Sequence, residues 1–282
     1  MPPETGSCSG AHDPARETLY VDFNALVVRG GGRATAWGRL VRNEDGDWFE
    51  PPLPIAFAVH DDRRVRAVWR GAVLVAGADF DDLHDRIERD GTVEGFGRLT
   101  GIWSGDQLRV EQQAAEPCPP ARFVPLVTPP CPPPDGGWPY VVWSHGDKNL
   151  DFDLGDLRET GAVVGLSVFR PSENQAVLVV AAAEMDAVEA RLRPQLGELL
   201  CVVRSRWTRA ELEAVRGYLH ARHDEWKLYM WGESVGADGQ ACMIAELTLM
   251  TPLIAGWAVS VPSGILALEP WLTPVTRSRP AA

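Results

Sequence analysis

Apolar and polar residues alternate in short runs over the first hundred or so positions, and after residue 160 the runs lengthen and the period changes. In the first part, β-rich stretches at 19–28, 34–41, 55–60, 65–76, 93–104 and 108–112 are separated by Gly30-Gly31-Gly32, Glu44-Asp45-Gly46-Asp47, Asp61-Asp62 and Ser104-Gly105-Asp106. Gly, Asp and Ser at those points supply tight reversals, so short strands are predicted. One interval departs from the alternation. Phe80, Leu83, His84 and Ile87 recur at i, i+3, i+4 and i+7, which predicts a helix capped by Asp79 and stopped by Gly91.

Pro117 to Pro139 holds ten prolines and ends the first pattern. Proline locks φ and has no N–H, so neither a helix nor a central strand can run through it. The expected organisation is a disordered N-terminus (1–16), a small β-barrel (17–113), a Pro-rich linker (114–139), an α+β domain (140–275) and a tail (276–282). The middle of the linker is too apolar to lie in water. It is therefore expected to act as a strap, with Phe123, Val124, Leu126 and Val127 docked on one domain. Strands, one helix and two closing strands, in that order, are similar to an OB-fold, which would make the N-terminal barrel OB-like.

Beyond the linker, 163–169 and 176–183 read as strands, and 185–196 as a helix with Val188, Leu192 and Leu196 on one side. A strand at 199–205 follows, then a helix opened by the capping box Thr208-Arg209-Ala210-Glu211. A hairpin around Asp238-Gly239 joins 228–235 to 241–250. Thr251-Pro252 opens a last helix with Leu253, Ile254, Trp257 and Val261 as its apolar side, and 265–268 adds a final strand. This order predicts an α+β sandwich, with a ferredoxin-like βαβ unit at its centre. The fold class expected for the whole chain is α+β.

Charge narrows the functional classes. The formal net charge is −12, both halves are acidic, and Lys148 and Lys227 are the only lysines. Such a surface repels polyanions, which argues against nucleic acid and anionic membranes as partners. Five cysteines without a CxxC or CxxH pair fit reduced thiols, with Cys201 and Cys242 as small core residues. No apolar run approaches the length of a membrane span, and the N-terminal residues carry no apolar signal-peptide core. A cytoplasmic protein is the expectation.

Three sets of residues carry candidate chemistry. His145, Asp147, Asn149, Asp151 and Asp153 occupy alternate positions, and in an extended chain their oxygens and imidazole could hold a divalent cation. The EF-hand pattern begun by Asp147-x-Asn149-x-Asp151 is broken by Phe152 and Arg158, and a half-buried strand with a solvated acidic face is the simpler account. His220 and His223 are three apart on a predicted helix, where a polar face is the simpler account. Trp37 and Arg39 share a strand face, the arrangement by which OB-folds hold single strands. Trp138 and Trp143, beside the linker, are candidates for packing between domains, because tryptophan is enriched at interfaces.

Neither a GxSxG elbow nor a complete dinucleotide fingerprint is present: Ser167 lies in a strand, and Gly95-Phe96-Gly97 lacks the third glycine. No cofactor is expected, although a divalent metal at His145, Asp147, Asp151 and Asp153 is possible chemistry. The first expectation is a non-catalytic interaction or scaffold protein with a protein partner. A metal-dependent enzyme or metal-regulated module comes second, and single-strand binding by the barrel third.

Overall fold

A computed structural model describes residues 22–52, 69–119, 126–141 and 150–275. The fold is mixed α+β and dominated by strands. The N-terminal strands are β1 (Arg33–Asn43), β2 (Gly46–Glu50), β3 (Val73–Ala76), β4 (His84–Arg89), β5 (Thr92–Trp103) and β6 (Gln107–Ala114). Alternation along β1 buries Ala34, Ala36 and Leu40 and turns Arg33, Thr35 and Trp37 outward. Along β5, Leu99 and Trp103 go inward, while Arg98 and Thr100 go out. The pairings run β1–β2, β2–β3, β3–β6, β6–β5 and back from β5 to β1, so the circuit returns to its start. All are antiparallel except the parallel β3–β6 pair.

In the C-terminal half, β7 (Val163–Phe169), β8 (Val177–Ala182) and β9 (Leu200–Arg204) form a three-stranded sheet in that order. The β8 and β9 strands are parallel, joined by helix α1 (Met185–Leu196), which makes a βαβ unit. All six residues of β8 are buried, as the continuous apolar sequence of a strand covered on both faces requires. Helix α2 (Arg209–Ala221) opens with both bonds of its capping box, and the strands β10 (Leu228–Val235) and β11 (Ala241–Leu249) form the hairpin. Helix α3 (Pro252–Ser260) follows, with Thr251 as N-cap, and β12 (Leu266–Pro274) closes the described chain.

The last strand joins the two halves. It lies parallel to β11 on one edge and antiparallel to β1 on the other, in a sheet of nine strands. Trp271 and Leu272 of β12 sit in the core of the N-terminal circuit with Phe49, Leu40 and Leu99. Conversely, Val27, with Phe23 and Leu26 of a short 3-10 turn, packs into the core beneath α2 and α3. Each half therefore completes its core with residues from the other end of the sequence.

Several expectations need correction. The 80–87 stretch is no helix. Phe80 and Leu83 are buried in a turn held by Gln113, whose side-chain amide donates to the carbonyls of Asp79 and Asp82. The chain then becomes β4, and Ile87 stands 52% exposed. Asp90 and Gly91 both have positive φ, and Arg89 pairs with Thr92, so the predicted helix stop is a two-residue hairpin turn. Leu253 of α3 is 63% exposed, and the buried side of that helix is Ile254, Ala255 and Ala258. The final strand extends beyond 268 to Pro274.

The thiols also differ from expectation: Cys131 and Cys201 form a disulfide. Cys201 is buried on β9, and Cys131 belongs to the strap, so the bond ties the strap to the three-stranded sheet. Leu126 and Trp138 pack on the same patch. The Leu126 carbonyl accepts from the Arg170 N–H, and the Trp138 carbonyl from the Gln175 amide. Phe123 and Val124 lie outside the described residues.

Candidate binding face

Cross-strand neighbours on four strands build an open concavity. Thr35 of β1 faces Thr273 of β12 on one side and Thr100 of β5 on the other, and Thr100 in turn faces Gln112 of β6. The four side chains form one polar row across four strands. With Arg33, Arg98, Pro274 and Val275 they line a groove of about 490 Å³. Within the row the Thr100 hydroxyl donates to Thr35 Oγ1 (3.4 Å), and the Thr35 hydroxyl donates to the Leu99 carbonyl (2.9 Å). Both hydroxyl protons are spent inside the protein. Thr35 and Thr100 therefore offer oxygen lone pairs, while the Thr273 hydroxyl and the Gln112 amide can also donate.

An arginine stands on each side of the row. Arg33 Nε lies 3.1 Å from Glu111. Arg98 is directly opposite Trp37, with its guanidinium carbon 4.4 Å from the indole centroid, and its Nε and Nη2 reach Glu116 at 2.9 Å. The Trp37 indole N–H donates to the Pro117 carbonyl at 3.0 Å. The start of the Pro-rich stretch thus lies along the Trp37–Arg98 pair, with a carboxylate on the guanidinium and a carbonyl on the indole.

The residues singled out in the sequence fall in several places. Trp37 borders this face. Arg39 does not serve it: the side chain is buried between Glu50 (2.5 Å) and Glu94, and Glu50 also accepts the Trp69 N–H at 2.5 Å. Trp138, part of the strap, packs with Leu126 against Phe169, Val177 and Val179. Trp143, His145 and Asp147 lie outside the described residues. Asp151 is exposed, and Asp153 binds Arg191 and the Gly155 N–H, which together hold its carboxyl below the usual range, the backbone bond contributing most. Leu150, Phe152 and Leu154 pack against the core under α1, as their alternation predicts. Among the described residues no group of three or more His, Cys, Asp and Glu could hold a metal ion.

A second polar seam runs between α2 and β10. His220 and His223 stack at 5.7 Å, and the His223 ring lies 5.4 Å from Trp231. His223 Nδ1 lies 2.8 Å from the His220 carbonyl, which can only accept, so Nδ1 carries the proton. Further along, Glu233 takes both arms of Arg209 (2.7 and 2.8 Å), Arg158 at 2.5 Å and Arg216 at 3.3 Å. Burial alone would raise the Glu233 carboxyl, but the hydrogen bonds and charge of Arg209, with Arg158 and Arg216, hold it below its ordinary value. A depressed folded pKa contributes stability above the unfolded value, and that contribution is lost as pH falls through the folded value. Acid titration of the melting temperature should therefore show a decline below the ordinary glutamate range that Glu233→Gln flattens; an unchanged profile would place the decline elsewhere.

Cys242 is a buried free thiol among the described residues. Burial, with Asp238 nearby, pushes it up to about 12, so it is not a nucleophile at neutral pH. Comparison with family models, curated proteins and solved structures returned no match. Sequence reasoning reached Trp37 and missed the rest of the face. Thr35 and Thr273 are 238 positions apart, and outward placement at period two was their one signal.

Proposed function

We propose that the chain is a non-catalytic interaction protein that receives an extended partner segment on the face built by Thr35, Thr100, Gln112 and Thr273. In this reading the N-terminal strands β1–β6 form an OB-like barrel. The return of the pairing circuit to β1 and the single parallel pair β3–β6 support it, as does the use of such barrels to hold extended ligands. The βαβ unit β8–α1–β9 is then scaffold, and its ferredoxin-like character rests on that one crossover. The observation that carries the function is the polar row itself: four hydrogen-bonding side chains from four strands line one groove.

A photo-crosslinking residue at position 100, with the protein expressed in its native host, tests this. One defined adduct that disappears when Thr35 and Thr273 are replaced by glutamate supports the face. A crosslink pattern that is diffuse, or indifferent to those substitutions, counts against it.

A further inference from the structure

We infer that the Cys131–Cys201 bond is a redox latch. Reduction by a dithiol frees residues 127–137 from the three-stranded sheet and uncovers the tip of the β10–β11 hairpin, while the rest of the fold persists. The sequence of this segment dictates how it can be held. Pro129, Pro130, Pro132, Pro133 and Pro134 have no N–H, so no ladder of backbone bonds can fasten the segment to a strand. Among the described residues, 127–137 makes no hydrogen bond to the sheet, and the Gly137 N–H donates to the Pro134 carbonyl within the segment itself. The flanks are fastened separately. The Leu126 carbonyl accepts from the Arg170 N–H at 2.7 Å, the Trp138 carbonyl from the Gln175 amide at 2.7 Å, and the Val141 N–H donates to the Asn174 carbonyl at 2.9 Å. Opening the disulfide therefore releases a loop between two anchored ends.

That loop covers the hairpin turn. A side-chain carbon at Gly239 would fall 2.8 Å from Pro130 Cγ and 2.9 Å from Val203 Cγ2, so strap, turn and β9 meet with no room for one more methyl group. At the same place Cys201 packs with Phe169, Val177, Val179 and Val235. The strap thus closes an apolar patch where β9 adjoins the hairpin tip.

The two sulfurs differ in access. Cys201 is 1% exposed, whereas Cys131 is only half-buried, so a reductant reaches the bond from the Cys131 side. A thiolate of the dithiol attacks the Cys131 sulfur and forms a mixed disulfide there. The protein's S–S bond breaks, and its electron pair leaves on Cys201, which takes up a proton. The second thiol of the reductant then attacks the mixed disulfide, which leaves Cys131 as a thiol and the reductant as its own disulfide. Two electrons and two protons have passed from the dithiol to the protein. The reverse exchange closes the latch, because the anchored flanks keep Cys131 near Cys201. This device stands apart from the face at Thr35 and Thr100.

The test uses the full native chain at neutral pH with dithiothreitol as the probe, followed by acid quenching, alkylation in denaturant and mass mapping. Cys131 and Cys201 should become alkylatable together while the far-ultraviolet circular dichroism is retained and melting stays cooperative. In that reduced native protein, cleavage within 127–137 by a non-specific protease should rise about tenfold or more, as expected for a segment that opens locally. Amide exchange at Gly236 and Gly239, whose N–H groups close the hairpin turn, should also quicken. Transfer to oxidised dithiothreitol should restore both. Cys131→Ser should show the released state without reductant and no further response to it.

A bond that is reduced only where the protein unfolds is a fixed structural bridge, and that result overturns the inference. Reduction that abolishes cooperative melting overturns it as well, and so does a reduced protein in which 127–137 stays as protected as before. Thiols found at both positions before any reductant is added do the same. If Cys131→Ser fails to fold, the dithiothreitol series on the unaltered chain decides by itself.

Discussion

Replacing Arg39 by alanine is expected to lower the stability of the fold by about 3–5 kcal/mol, the cost of leaving one member of a buried ion pair without the other. Arg39 and Glu50 have side chains only 9% and 5% exposed, and they meet at 2.5 Å. Without the guanidinium, Glu50 remains a buried anion with the Trp69 N–H as its remaining donor shown here, while Glu94 can turn toward water. Urea unfolding should show a lower midpoint at unchanged slope. A loss well under ~1 kcal/mol would mean that the pair is not held as described. The double variant Arg39→Met with Glu50→Gln removes both charges yet keeps an acceptor for the Trp69 amide, and should recover most of the loss. The partner binding proposed for the Thr35–Thr100 row should survive in any variant that remains folded, because Arg39 does not line that groove.

Reduction of the Cys131–Cys201 bond is the second large effect. It closes a loop of 70 residues, for which the chain-entropy relation gives about 4 kcal/mol. The oxidised protein should melt well above the reduced one, and Cys131→Ser should melt with the reduced form. Because the strap is held by this bond, by Leu126 and Trp138 in their apolar patch, and by the bonds to Arg170 and Gln175, reduction should also expose 126–141 to proteolysis. Thiol titration of the denatured, never-reduced protein that finds all five cysteines reactive would overturn the pairing. The same titration on protein from the native host bears on compartment, since such bonds persist where the surroundings are oxidising. No described helix is long and apolar enough to cross a membrane.

The difference between what was legible and what was not follows the range of the interactions involved. The α1 helix at 185–196 was predicted to the residue, because Val188, Leu192 and Leu196 need only a helical period to share a face. The α2 cap was equally local, with Thr208 and Glu211 exchanging bonds within one turn. The 80–87 segment failed because its spacing suits a helix as well as a turn followed by a strand. What decided it was the waiting edge of β5 and the Asp90-Gly91 reversal, whose two positive φ values make a hairpin. Arg39 was placed on the correct face of β1 yet assigned the wrong surroundings. The period gives the side of a strand, and not what lies over it.

Local pattern alone determined the strand-rich α+β character, the two helices α1 and α2 and the β10–β11 hairpin. Each depends on residues within a few positions of one another, where propensity, capping and turn chemistry act directly. Tertiary structure alone decided that β12 would lie between β11 and β1, that Trp271 would complete the N-terminal core and that Cys131 would meet Cys201. It also brought Thr273 beside Thr35 and Thr100. These are matters of strand partner and register, set by which distant surfaces bury each other, and no spacing along the chain encodes that choice.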